Sequence, residues 1–141
     1  GFGNEAAIDK QLKPVATLKT VISQTHTIEK GQSIGYNRAY KADEAVITAT
    51  LPVGHADGIG RQYGNGKAYV TINGKKAPIV GNVCMDMIMV NVTGIDCNEG
   101  DEVVVFGANP TAEQFASGAK TISYEILTGI SQRVTRIIVD N

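Results

Sequence analysis

Several short stretches of the 141-residue chain carry residue types that do chemistry. The run DGIGRQYGNG at 57–66 has the glycine density of a phosphate cradle. The spacing G-x-G-x-x-G, which lets backbone amides approach a pyrophosphate, is not met after Gly58 and Gly60. The pair Gly66-Lys67 is followed by Ala68 and has no glycine five positions upstream, so it is no P-loop either. A flexible hairpin loop is the simpler reading. His55-x-Asp57 pairs two metal-ligating types, but the chain has only two histidines and no second paired ligand nearby. Cys84-Met85-Asp86 has soft-metal and nucleophile character without a histidine at useful spacing, which fits a buried strand with one polar exception. No G-x-S-x-G elbow is present for a serine hydrolase.

The elements that must position these residues form one compact domain. A chain of 14.9 kDa buries about 70% of its unfolded surface, whereas a (β/α)₈ barrel needs about 250 residues. Thirteen basic against fourteen acidic residues leave a net charge of −1, with no electrostatic footprint for nucleic acid. No apolar run approaches the ~18 residues of a membrane span, and the N-terminus lacks the pattern of a signal peptide. Two cysteines, Cys84 and Cys97, are no disulfide framework, so a cytoplasmic location is expected. Sixteen glycines, against a usual ~7%, suggest many turns and a β-rich fold.

Strands are predicted over 15–28, 46–53, 68–72, 77–83, 87–92, 102–106 and 133–139, from Val/Ile/Thr content and alternation. Asn73-Gly74 marks a two-residue hairpin turn. Thr111 and Gln114 match a capping box opening a short helix that Gly118 ends, and 123–128 form a further helical turn stopped by Gly129. A β-barrel or sandwich follows.

The whole order of motifs is more specific. LKPVATLKTVISQ, GQSIGYNRAYKA, PVGHADGIGR, INGKKAPIVGNVCMDMIMVNVT, GDEVVVFG and TISYEILTGISQRVTR succeed one another from about Leu12 to Arg136. Together they closely resemble the C-terminal domain of bacterial alanine racemase. The resemblance implies a mainly β, Greek-key β-barrel with one or two short helices near the C-terminus, occupying 12–141, with 1–11 a remnant of the interdomain segment. It implies interconversion of L- and D-alanine for peptidoglycan, with pyridoxal 5′-phosphate bound to a lysine of an N-terminal (β/α)₈ barrel. It also implies a head-to-tail homodimer in which this domain completes the partner's active site, without nucleic acid or membrane partners.

Residue by residue, Tyr36 in SIGYNRAY matches the catalytic tyrosine that exchanges the α-proton with one face of the substrate. Met85 in VCMDM matches the residue whose backbone meets the substrate carboxylate, with Asp86 beside it at the entrance. Tyr124 in TISYE matches the tyrosine at the cofactor phosphate. Arg61 and Ile122 match the entry corridor, as does His55, although the family usually has tyrosine there. Asn82 likewise stands where the family usually has arginine. The opening GFGNEA resembles the segment just before the domain begins, so an excised domain is expected, inactive alone and without bound cofactor. Two other readings stay open: a non-catalytic β-barrel for dimerisation or ligand sensing that has kept the motifs, and a racemase for another small amino acid such as serine.

Overall fold

The computed structural model describes residues 13–34 and 40–140. Nine strands and two helices are found among them: β1 (Leu18–Val21), β2 (Gln24–Ile28), β3 (Ser33–Ile34), β4 (Tyr40–Lys41), β5 (Val46–Leu51), β6 (Tyr69–Ile72), β7 (Lys75–Val80), β8 (Ile88–Asn91), β9 (Glu102–Phe106), α1 (Ala112–Gly118) and α2 (Ser123–Gly129). Seven strands form one antiparallel sheet in the order β1-β9-β6-β7-β8-β5-β2, while β3 and β4 pair separately.

The two edges of that sheet are halves of one segment. The predicted strand over 15–28 breaks at Ile22-Ser23. Before the break it pairs with β9, and after it with β5. The Ile22 N–H donates to Asp101 O at 3.0 Å and the Ser23 N–H to Thr50 O at 2.9 Å, so pairing passes from one neighbour to the other at the bend. β7 makes a second corner, pairing with β6 through Pro78 and with β8 from Ile79. Strands β6, β7 and β8 run as a meander and β9 returns beside β6, the spatial order of a Greek key. The curled sheet and its two short helices are as expected.

The Asn73-Gly74 turn forms as read, with φ of 50° and 76°, values that asparagine and glycine tolerate and that match the twist of the flanking strands. The returning strand is Lys75–Val80 rather than 77–83. Inward-facing Val70, Ile72, Ile79, Ile88, Val90, Val103 and Val105 are fully buried. α1 carries the capping box, with the Gln114 N–H donating to Thr111 Oγ1 at 3.1 Å and the Thr111 N–H to Gln114 Oε1 at 2.9 Å. The helix seats Phe115 against Tyr63 (centroids 4.7 Å apart) and Phe106 (6.2 Å) at one end of the core. Burying a ring of this size is worth roughly 1.5–3 kcal/mol, so this contact anchors α1.

The strand expected over 133–139 does not form. Instead the Arg136 guanidinium donates to the carbonyls of Ile130, Ser131 and Val134, tying this stretch into a turn. One of these acceptors, Val134 O, lies within the expected strand and is taken by a side chain instead of a ladder partner.

Candidate active site

One end of the barrel is built by three segments far apart in sequence. Between β5 and β6, residues 54–63 form two short 3-10 turns, His55–Asp57 and Arg61–Tyr63. Gly54 begins the loop in extended conformation, so its glycine serves space rather than conformation. A Cβ there would lie 2.5 Å from Cys84 O and 2.6 Å from Met87 N. With backbone lying on backbone, the His55 N–H donates to Cys84 O and the Ala56 N–H to Met85 O, each at 2.9 Å. The 84–87 stretch is itself a tight turn, with the Cys84 N–H donating to Met87 O at 3.0 Å. It projects Met85, 61% exposed, and Asp86 outward.

On the other flank the loop meets α2. Gly58 has φ of 111° and a Cβ there would lie 2.5 Å from Gly129 O, so both conformation and close approach demand glycine. The Ser131 N–H donates to Asp57 O at 3.0 Å. A shallow cleft opens here, lined by His55, Gly58, Tyr63, Glu125 and Gly129. Burial pushes the Tyr63 phenol above its usual pKa, and the nearby Glu125 charge adds to the shift.

A single guanidinium joins the segments. Arg133 Nε donates to Asp57 Oδ1 at 2.7 Å, and Arg133 Nη2 donates to Asp86 Oδ1 at 2.8 Å. The other oxygen of Asp57 accepts the Gly54 N–H at 2.8 Å, so this buried carboxylate is satisfied on both sides. The Arg133 hydrogen bond holds the Asp57 carboxyl below the usual carboxylate range against the upward push of burial. The Gly54 N–H and the guanidinium charge lower it further. In turn the Asp57 and Asp86 carboxylates push Arg133 above its ordinary value.

Of the residues singled out in the sequence, the structure brings His55, Met85 and Asp86 together. Arg61 opens the second 3-10 turn with its side chain in solvent. Ile122 caps α2 and Tyr124 lies in its first turn, 39% and 60% exposed. Among the described residues no hydrogen bond or ion pair links either side chain to the His55–Met85–Asp86 group. Tyr36 lies outside the described residues. Asn82 accepts a hydrogen bond from Asn65 Nδ2 at 3.0 Å. Among the described residues no cluster of three histidine, cysteine, aspartate or glutamate side chains could hold a metal, and Asp57 of the His55-x-Asp57 pair is committed to Arg133. Arg133 lies within the TISYEILTGISQRVTR motif but was not singled out as a site residue, because its role depends on two carboxylates 76 and 47 positions away.

Comparison with known proteins agrees with this architecture. Residues 15–138 match the family described as alanine racemase, C-terminal domain. The alanine racemase of Clostridium kluyveri is 42% identical over 147 aligned positions, covering 99% of this chain and 37% of that protein. The solved alanine racemase of Streptomyces coelicolor A3(2) superposes with a TM-score of 0.88 at 33% identity, over 95% of this chain and 36% of that one. That of Bartonella henselae, solved with covalently bound pyridoxal phosphate, gives a TM-score of 0.83 at 34% identity, over 87% of this chain and 34% of that one. The chain thus spans little more than a third of the length of these relatives and corresponds to their C-terminal part. With its sequence, strand order and paired helices all in agreement, this chain belongs to the alanine racemase C-terminal domain family.

Proposed function

We propose that this chain is the substrate-completing part of an alanine racemase. In that role Tyr36 exchanges a proton at the α-carbon of alanine in an active site whose cofactor is held by a companion (β/α)₈ domain, in a head-to-tail dimer. The observation that carries this reading is the state of the Met85 peptide. The Cys84 carbonyl, which shares a peptide plane with the Met85 N–H, is fixed by the His55 N–H at 2.9 Å, while that Met85 N–H donates to no acceptor among the described residues. An oriented main-chain donor on an exposed turn suits the carboxylate of an amino acid.

The same face does not by itself fit pyridoxal phosphate. Segments 54–63, 82–87 and 122–136 contain no lysine to form the covalent link, and the one phenol available to a phosphate, Tyr124, stands exposed on α2. A face of this kind covers a cofactor held elsewhere. On this reading the Tyr124 hydroxyl reaches the phosphate, and His55, Arg61, Asp86 and Ile122 border the path of entry. A tyrosine hydroxyl with an unperturbed pKa of ~10 needs neighbouring positive charge or donors to act as a base near neutrality. The free thiols of Cys84 and Cys97 accord with a cytoplasmic location.

The test is racemisation of alanine by the full-length protein and by residues 1–141 alone, each supplied with pyridoxal phosphate. The full-length protein is expected to interconvert the enantiomers and the shorter chain to be silent. Full activity in the shorter chain would overturn the division of labour. A silent full-length protein would favour a non-catalytic role, and a higher kcat/KM for serine would move the substrate.

A further inference from the structure

We infer that Arg133 is a positioning residue, setting the substrate-facing turn 84–87 against the 54–58 loop. The inference rests on the proposed reading that Met85 faces substrate. Three observations carry it. First, the guanidinium bridges two carboxylates on separate segments, with Nε on Asp57 and Nη2 on Asp86, while the backbones of those segments are also joined through His55 and Ala56. Second, the bond to Asp86 is mostly solvent-exposed, with side chains 49% and 64% accessible. Such a pair adds little to stability; what it does supply is direction, holding the carboxylate beside Met85 at one place. Third, Arg133 is itself held. Arg136 fixes the 130–134 carbonyls, and the Ser131 N–H binds Asp57 O, so the guanidinium is presented from a braced turn rather than from a free tail.

The two bonds use different nitrogens of one planar group, so their geometry is specific to arginine. A lysine ammonium is a point charge and does not span both carboxylates in this arrangement. Loss of the bridge leaves the sheet in place, because most of the core lies in its strands, although the buried Asp57 loses its partner at some cost in stability. What changes is the angle at which the Met85 N–H and the Asp86 carboxylate meet a small substrate. Misplacement of that kind by a fraction of an ångström weakens binding of the substrate more than proton transfer by a residue elsewhere.

The test uses the full-length protein with Arg133→Lys and Arg133→Gln, following steady-state kinetics in both directions and amide hydrogen exchange. Both variants are expected to raise KM for alanine roughly tenfold, with kcat changed less than about threefold. Exchange in peptides spanning 54–58 and 84–87 is expected to quicken, with the β5–β8 ladder unchanged. Rescue by Arg133→Lys, or an unchanged KM, would overturn the positioning role. Uniform acceleration of exchange with a lowered kcat and Tm would show a purely structural part and overturn it as well. If Arg133→Gln does not fold, Arg133→Lys decides. If the wild-type protein does not racemise alanine, the proposed function fails on its own, and unchanged exchange at 54–58 and 84–87 would still refute the bridge.

Discussion

The two ends of this barrel are made in opposite ways. At one end the hairpin turn Asn73-Gly74 and the turn at 98–101 are closed by their own neighbours. The Asn98 N–H donates to Asp101 Oδ2 at 2.9 Å and the Asp101 N–H to Asn98 O at 3.1 Å. Asn73 and Gly74 adopt the positive φ of their turn, with one added longer-range bond from Asn73 Nδ2 to Asp96 O at 2.8 Å. At the other end, loops 54–63, 84–87 and 130–136 are held to one another by Arg133 and by backbone lying directly on backbone. Glycine illustrates the difference. Gly74 has φ of 76° and open space around its missing Cβ, so it is there for conformation. Gly54 is extended and crowded by carbonyls, so it is there for contact. Local turn chemistry makes a stiff connection; long-range contact makes a surface whose parts can be set relative to one another, as a site requires.

Gly54→Ala sharpens this contrast most. Its methyl would meet backbone atoms that cannot turn aside, so a loss of about 3 kcal/mol is expected, read as a fall in Tm of about 10 °C. Next is Asp57→Asn, whose amide nitrogen would set a donor against either the Gly54 N–H or Arg133. About 2 kcal/mol is expected to be lost at neutral pH. The sign with pH is fixed, because the carboxyl is held below its ordinary 3.8 in the folded chain. Its stabilisation is complete above that value and is lost as pH falls through the lowered one. Denaturant titrations of parent and variant are therefore expected to converge in acid; a constant gap down to the lowest pH would contradict the bridge to Arg133.

At the hairpin end, Gly74→Ala is expected to cost about 1 kcal/mol through its positive φ, with KM for alanine untouched in the full-length protein. A KM change there would erase the distinction between the two ends. The smallest effect belongs to the exposed Lys19–Glu102 pair at 3.1 Å. Lys19→Gln is expected to shift stability by less than about 0.5 kcal/mol, and by less still in high salt.

The same contrast explains what could be read from the sequence. The Asn73-Gly74 turn, the Thr111–Gln114 capping box and the β5, β8 and β9 strands are signalled by residue types a few positions apart, and they appear close to where they were predicted. The break at Ile22-Ser23 was not visible, because Val/Ile/Thr alternation does not reveal that one strand must change partners. Residues 133–139 have the β-branched content of a strand, yet the tertiary contacts of Arg133 and the local turn closed by Arg136 override it. The positions of His55, Met85 and Asp86 were recognisable through family motifs. That Gly54 seats them and Arg133 joins them depends on contacts only the fold creates.

In the proposed function, this chain supplies in Tyr36 the group that carries the α-proton on one face of alanine. Since the enantiomers have equal free energy, loss of one base must slow net racemisation equally in both directions. Proton exchange with solvent is what separates the faces. In the full-length protein with Tyr36→Phe, α-hydrogen exchange of L-alanine into deuterium oxide is expected to fall by roughly 10²–10⁴-fold, while exchange of D-alanine persists. Equal loss or equal retention for the two enantiomers would contradict the assignment.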